Sequence, residues 1–269
     1  MAMKLGIIAE PTAEGVRWAA EKGLGYVEYC YNVGKDVAEL EKAVPQLKAA
    51  YAQYGVQLGA LGRWGAFKVD DDGNLIESEL ENTYRLIDVA AELGAPVFNT
   101  GVNYVKNLPY LTNIEKAREF LVKAVAYGKQ QGVKIATVNC DWDNFVRTPK
   151  EWELIHGVIP ELGIKYDPSH CVNCGSGNYL QELNDWGERI YHFHIKGTIN
   201  LGGLHVDDPP AGLDGIQWRP VMGMLYAKGY DGMLSIEPHS GVWKGKLGEW
   251  GIRYTIRYIS EMIYGEQEA

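Results

Sequence analysis

Short apolar runs alternate with longer segments whose apolar residues return at every third or fourth position, and this alternation continues along the whole chain. The runs read Leu5–Ala9, Tyr26–Cys30, Gln57–Leu61, Pro96–Thr100, Lys134–Asn139, Ile164–Asp167, Tyr191–Lys196 and Gly232–Glu237. Each is short and largely apolar on both faces, as expected of a strand covered by protein on both sides. Between them, Val37, Leu40, Val44, Leu47 and Tyr51 form one helical stripe, Ile114, Ala117, Leu121 and Ala124 a second, and Ile252, Ile256, Ile259 and Ile263 a third.

Glycine punctuates the alternation. Gly23, Gly55, Gly94, Gly132, Gly163 and Gly229 each follow a helical segment and precede a strand. Glycine adopts the left-handed conformation that ends a helix, after which the chain turns into the next strand. The spacing is near-equal except for a double interval before Gly229, where Arg189-Ile190-Tyr191 supplies the missing junction. Strand and helix alternating without a composition break predict a parallel sheet. Eight near-equal units, with a last helix after the eighth strand, favour closure over an open doubly wound sheet. The expected fold is therefore α/β, a (β/α)₈ TIM barrel with residues 1–269 as one domain. Two long loops are expected, Gly62–Leu75 and Gly197–Gly215.

Hydrophobic residues make up 46% of the 269 and charged ones 23%, enough for a core without disulfides or structural metals. The net charge of −9 argues against nucleic-acid or anionic-membrane partners and favours a small neutral or metal-complexed substrate. The start of the chain, Met1-Ala2-Met3-Lys4-Leu5, lacks the basic and long apolar regions of a secretory signal. No run approaches the ~18 apolar residues of a membrane span. Cys30, Cys140, Cys171 and Cys174 make no disulfide framework, so a cytoplasmic location is expected.

In such a barrel the chemistry sits at the C-terminal ends of the strands. The polar residues there are Glu10, then Glu28 and Asn32, then Arg63 and Trp64, then Asn99 and Asn103, then Asn139, Cys140 and Asp141. The last three strands carry Asp167 and His170, then His192, His194 and Lys196, then Glu237 and His239. Strand alternation puts His192, His194 and Lys196 on one face. Carboxylates and imidazole on adjacent strand ends, with a coordination position left open, suit a divalent metal: Mn²⁺ first, with Mg²⁺, Co²⁺ and Zn²⁺ as alternatives.

Tyr166-Asp167-Pro168-Ser169-His170, Tyr191-His192-Phe193-His194-Ile195-Lys196 and Ser235-Ile236-Glu237-Pro238-His239 resemble the xylose isomerase-like barrel superfamily. That group includes sugar isomerases and ketose 3-epimerases, keto-inositol dehydratases and the zinc-dependent endonuclease IV group. The resemblance covers the chain in element order and is most specific in strands five to eight. It implies that Asp167, His194 and Glu237 are metal ligands and that His170 lies beside the metal as a substrate contact. One position departs from the pattern. The family's glutamate ligand at the end of the fifth strand is replaced in Ala136-Thr137-Val138-Asn139 by Val138. Asp141 is then a candidate fourth ligand, with water or a substrate oxygen as alternatives.

The remaining candidates follow from these. Glu237 and His170 are candidate acid/base residues, and Lys196 a candidate electrophile or base. Trp64, Arg63, Asn99, Asn139, His239 and Trp243 are candidate substrate contacts, the aromatics as stacking platforms. Leu204–Pro210 is read as an active-site flap, and Cys171 and Cys174 as buried structural thiols. The expected activity is metal-assisted removal of an α-proton from a keto sugar or polyol derivative through an enediolate, by a sugar isomerase or epimerase. Elimination from the same enolate, by a dehydratase or lyase, is the alternative that the Val138 departure favours. A non-catalytic barrel with a decayed metal site and an endonuclease IV-like phosphodiesterase are further alternatives. A homo-oligomer is expected from the resemblance.

Overall fold

The computed structural model describes residues 3–174 and 177–265; Met1 and Ala2, part of the N-terminal reading above, lie outside them. Eight parallel strands close a barrel: β1 (Lys4–Ile8), β2 (Tyr26–Cys30), β3 (Gln57–Arg63), β4 (Val97–Thr100), β5 (Lys134–Val138), β6 (Gly163–Tyr166), β7 (Ile190–Ile195) and β10 (Met233–Ile236). They pair in the order β1-β10-β7-β6-β5-β4-β3-β2, so the chain forms a (β/α)₈ TIM barrel. The strands sit within one or two residues of the runs read from the sequence.

The helices around it are α1 (Ala13–Glu21), α2 (Val37–Tyr54), α3 (Glu77–Glu92), α4 (Tyr110–Gln131), α5 (Pro149–Ile155), α6 (Pro168–Asn173), α7 (Tyr179–Trp186), α8 (Trp218–Ala227) and α9 (Gly245–Ser260). Their stripes face the sheet: Leu40, Leu47, Ile114, Ala117, Leu121 and Ile259 are essentially unexposed. Each buried Leu or Ile stabilises the fold by roughly 1.5–3 kcal/mol relative to exposure. Gly55 and Gly132 end α2 and α4 with φ of 68° and 74°, in the left-handed region that the punctuation predicted. No helix among the described residues is long and apolar enough to cross a membrane.

The two expected loops differ from the reading. Gly62 and Arg63 extend β3, because Arg63 still pairs with Thr100 of β4. Gly197–Gly215 holds an antiparallel hairpin, β8 (Ile199–Leu201) and β9 (Leu204–Asp207). Its turn is Gly202-Gly203, both at positive φ (60° and 94°), the two-residue turn whose twist matches paired strands. The Gly-Gly pair between Leu201 and Leu204 carried that signal. Inside the barrel, Ala60, Val97 and Ala136 pack with Tyr191 and fill the interior below the strand ends. Polar groups therefore collect at the C-terminal mouth.

Candidate active site

Asp167 follows directly on β6 and caps α6. Its Oδ1 accepts from Ser169 N at 2.8 Å, and Pro168 occupies the first helical turn, where its missing N–H costs nothing. The cap fixes one carboxylate oxygen and leaves the other, Oδ2, buried without a hydrogen bond. Asn139 exchanges two bonds with the Asp167 backbone: Nδ2 donates to Asp167 O at 2.8 Å, and Asp167 N donates to Oδ1 at 2.9 Å. One turn along α6, His170 places Nε2 3.5 Å from Asp167 Oδ2.

His194 lies on β7 between two carboxylates. Its Nδ1 is 2.8 Å from Glu237 Oε2 and its Nε2 is 2.8 Å from Glu28 Oε2. Glu28, unexposed on β2, meets His192 Nε2 at the same distance. Glu237 ends β10, where the following Pro238 keeps it extended and its N–H donates to Ile195 O. Lys196 carries its ammonium to 3.4 Å from Asp167 Oδ2, 3.8 Å from Glu237 Oε2 and 3.3 Å from His170 Nε2.

Burial works against every charge here, and the partners decide the outcome. Burial raises the Asp167 carboxyl, but Lys196, His170 and Lys165 outweigh it and bring it to about 2. Glu237 is likewise raised by burial and held well below the carboxylate range by Lys196 and His194. For Lys196 burial pulls downward, and Asp167 and Glu237 reverse it, raising its affinity for the proton. Held by both carboxylates as an ammonium, Lys196 is better placed as an electrophile than as a base. Burial lowers His170 to about 4, so it is neutral near pH 7. Around Glu28 the two histidines diverge: burial keeps His192 below its ordinary value, whereas Glu28 and Glu237 overcome burial and raise His194.

A cavity of about 720 Å³ opens over these groups, lined by Trp18, Cys30, Asn32, Trp64, Cys140, Asp141, Trp142, Lys165, His170, His194, Lys196, Glu237 and His239, among others. Gly62 makes room for the Trp64 ring, since a Cβ there would come within 2.1 Å of it. His239 donates from the cavity rim to Asp208, which also holds His205 at the foot of the β8–β9 hairpin.

Trp64, His239, Asp141, His170, His194, Lys196 and Glu237 thus share one cavity. Four expected substrate contacts do not line it. Arg63 is locked by Glu79, at 2.6 Å and 3.1 Å, and by the carbonyls of Tyr31 and Asn32. Asn139 is committed to the Asp167 backbone. Asn99 is fully buried, and Trp243 lines an adjoining small crevice with Pro209 and Pro210 that shares Glu237, Pro238 and His239 with the cavity. Asp141 reaches the cavity wall but does not join the donor group, because it is an exposed loop residue. Of the two cysteines in the Cys-x-x-Cys, Cys171 is buried on α6 but Cys174, just past its end, is exposed.

The sequence reading passed over Lys165, Trp18 and Trp142, and it noted Glu28 at its strand end without assigning it a role. Lys165 lies two residues before Asp167 and Glu28 two before Cys30, so strand alternation already placed both inside the barrel. Trp18 and Trp142 carry no comparable signal, since a helix face and a loop bring them in.

Two groups among the described residues could hold a metal ion: Asp167, His194 and Glu237, and Glu28, His192 and His194; within each, the donor atoms lie within 4.8 Å of one another. The first fits a divalent ion better. Its His194 and Glu237 line the cavity, it combines two carboxylates with one imidazole, and it includes Asp167 Oδ2, which is buried without a hydrogen bond. His194 would then bind through Nδ1 while Glu28 orients its Nε2–H, the usual arrangement behind a metal-bound imidazole.

The family model described as xylose isomerase-like TIM barrel matches residues 16–259. The chain belongs to that family. No curated protein matches it. Among solved structures of the same fold, the IOLI protein with a bound zinc atom has a TM-score of 0.77 at 16% identity, covering 97% of this chain and 98% of the other. The 3-keto-D-glucoside 4-epimerase YcjR of E. coli, in its apo form, has a TM-score of 0.74 at 15% identity over 96% and 99%. D-allulose 3-epimerase from Methylomonas sp. has a TM-score of 0.75 at 16% identity over 97% and 98%. At these identities the likeness speaks for the fold.

Proposed function

We propose that this family member is a divalent-metal-dependent enzyme that removes the α-proton of a keto sugar or polyol derivative, acting as a sugar isomerase or epimerase. The observation that carries the reading is the Asp167, His194 and Glu237 donor set, two of whose members, His194 and Glu237, line a cavity with three tryptophans. The sugar epimerases and the zinc-bound protein among the structural neighbours support it. We take Mn²⁺ as the first candidate ion, a homo-oligomer as the assembly and the cytoplasm as the location.

A divalent ion held by Asp167, His194 and Glu237 would supply Lewis-acid polarisation of a carbonyl and its neighbouring hydroxyl. The sugar's apolar faces lie against Trp64 and Trp142. Glu237 turns Oε2 toward the ligand set, 2.8 Å from His194 Nδ1, and takes the α-proton on Oε1, which makes no hydrogen bond among the described residues. Its low proton affinity at rest comes from Lys196 and His194, so it is ionised and ready before each turnover. Lys196 also stabilises negative charge growing on a substrate oxygen. His170, neutral and accepting at Nε2 from the Lys196 ammonium, can take up a proton at that nitrogen when Lys196 turns to the substrate.

Val138 favours a second reading. With no carboxylate at the end of β5, Glu237 is the acid/base carboxylate left on the ligand set, and a one-base outcome follows more readily than two-base epimerisation. Loss of a β-substituent from the same enolate gives a dehydratase or lyase. The test is incubation of the metal-loaded protein with ketohexoses, keto-inositols and 3-keto-glycosides in D₂O, followed by NMR. Deuterium in an epimer or isomer supports the first reading, and an unsaturated product the second. No solvent deuterium in any recovered substrate or product, together with no unsaturated product, would overturn proton abstraction. The Glu237→Gln protein should lose the exchange.

A further inference from the structure

Three lysines among the described residues are buried: Lys68, Lys165 and Lys196, at 1%, 2% and 4% exposure. Lys68 has its counter-ion, Glu79, at 2.7 Å. Lys196 has Asp167 and Glu237. Lys165 differs. Its ammonium makes no hydrogen bond or ion pair among the described residues, and its nearest recorded partner is the Trp64 ring, 5.9 Å from Nζ. The carboxylates of the neighbourhood are already engaged, Asp167 and Glu237 with Lys196, and Glu28 with two histidines.

The position sharpens the point. Lys165 on β6 pairs in register with Val138 on β5 and His192 on β7, so neither strand neighbour offers it a carboxylate. Its side chain lines the large cavity together with Trp64, Trp142 and His170. Desolvating an ammonium that no carboxylate contacts is costly, and here Asp167 and Glu237 offset that cost only from longer range. That cost is relieved when a ligand brings the missing negative charge, and a charge-assisted hydrogen bond to a carboxylate does so most directly. The cavity lining contains no arginine, so it lacks the fork of donors that a dianionic phosphate calls for.

We propose that Lys165 binds a carboxylate carried by the substrate, so that the cavity takes an acidic sugar, a uronate or its keto derivative, in preference to a neutral one. The inference deepens the proposed function and rests on it for the sugar, though not for the charge.

The test uses the full chain and isothermal titration with D-glucuronate, D-galacturonate, D-glucose, D-fructose and D-glucose 6-phosphate, on wild type, Lys165→Met and Lys165→Arg. Wild type should bind a uronate about 10- to 100-fold tighter than its neutral counterpart. Lys165→Met should bring the ratio of uronate to neutral-sugar affinity to about one, and Lys165→Arg should restore part of the preference. Lys165→Met should also melt at a higher temperature than wild type without ligand, because an unpaired buried charge is gone. Equal affinity for uronate and neutral sugar, a preference that survives in Lys165→Met, tighter binding of the sugar phosphate, or no uronate binding at tens of millimolar would each overturn the proposal. A Lys165→Met protein that melts lower than wild type would do the same, by making Lys165 a structural cation. Uronate binding without deuterium exchange would sink only the proton-abstraction reading, and exchange on neutral sugars alone would sink only this one.

Discussion

Glu28 is the residue whose replacement speaks most directly to the metal centre. It touches neither the cavity nor a proposed ligand oxygen, yet its Oε2 holds Nε2 of both His194 and His192 at 2.8 Å. That bond selects the Nε2–H tautomer of His194 for the ion-bound state and leaves the Nδ1 lone pair for the ion. Glu28→Gln keeps the volume and an acceptor oxygen but removes the charge. A hydrogen bond to a charged group contributes about 1.5–3 kcal/mol and a neutral one about 0.5–1.5. The difference at His194 is then about 1–1.5 kcal/mol, or roughly tenfold in ion affinity, with 100-fold as the upper range for residues behind a metal-bound imidazole. Calorimetric titration of the metal-stripped protein with Mn²⁺ and with Zn²⁺ reads this directly. Asp167→Asn should abolish binding and Glu28→Gln should weaken it by that factor. Equal affinity in Glu28→Gln and wild type, with Asp167→Asn inactive in binding, would refute the orienting role. Equal affinity in Asp167→Asn would refute the site itself.

Two further outcomes concern the scaffold. Glu79 neutralises both Arg63 and Lys68 in a buried cluster, so Glu79→Ala leaves two uncompensated cations and should destabilise the protein by about 3–5 kcal/mol in urea unfolding; a loss below about 1 kcal/mol would contradict the pairing. His156 is buried against Thr137 and the Gly163 carbonyl, and burial lowers it to about 3 from 6.5. The unfolded chain therefore takes up a proton that the folded one refuses, and the stability present above pH 6.5 falls as the pH drops toward 3, by up to about 1.4 kcal/mol per unit from this group. His156→Phe should be less stable at pH 7.5 but flatter by about one proton across that window; an unchanged slope would show that His156 does not carry it.

The periodicity of the apolar positions and the placement of glycine were sufficient for the eight strands, their order and the closed barrel. Both are local signals: alternation of strand and helix, and a residue free to adopt positive φ where a helix must end. Asp167, His194 and Glu237 were legible for the same reason, because in this topology every strand end points to one mouth. The Gly202-Gly203 hairpin was legible in principle, from two adjacent glycines between apolar residues. What the chain alone left open was which neighbouring polar groups satisfy one another. Arg63 looked like a substrate contact until Glu79, on a helix formed by a later segment, took its guanidinium. Asn139 looked the same until it was found bonded to the backbone of Asp167. Glu28 acquired its role only when strand closure set β2 across from β7. Lys165 became notable because the tertiary structure provides partners for every other buried lysine and none for this one. The candidate metal ligands, with the strand-5 carboxylate missing, could be read in one dimension. The ammonium that faces the cavity beside Val138 could not, because a charge is unpaired only with respect to everything packed around it.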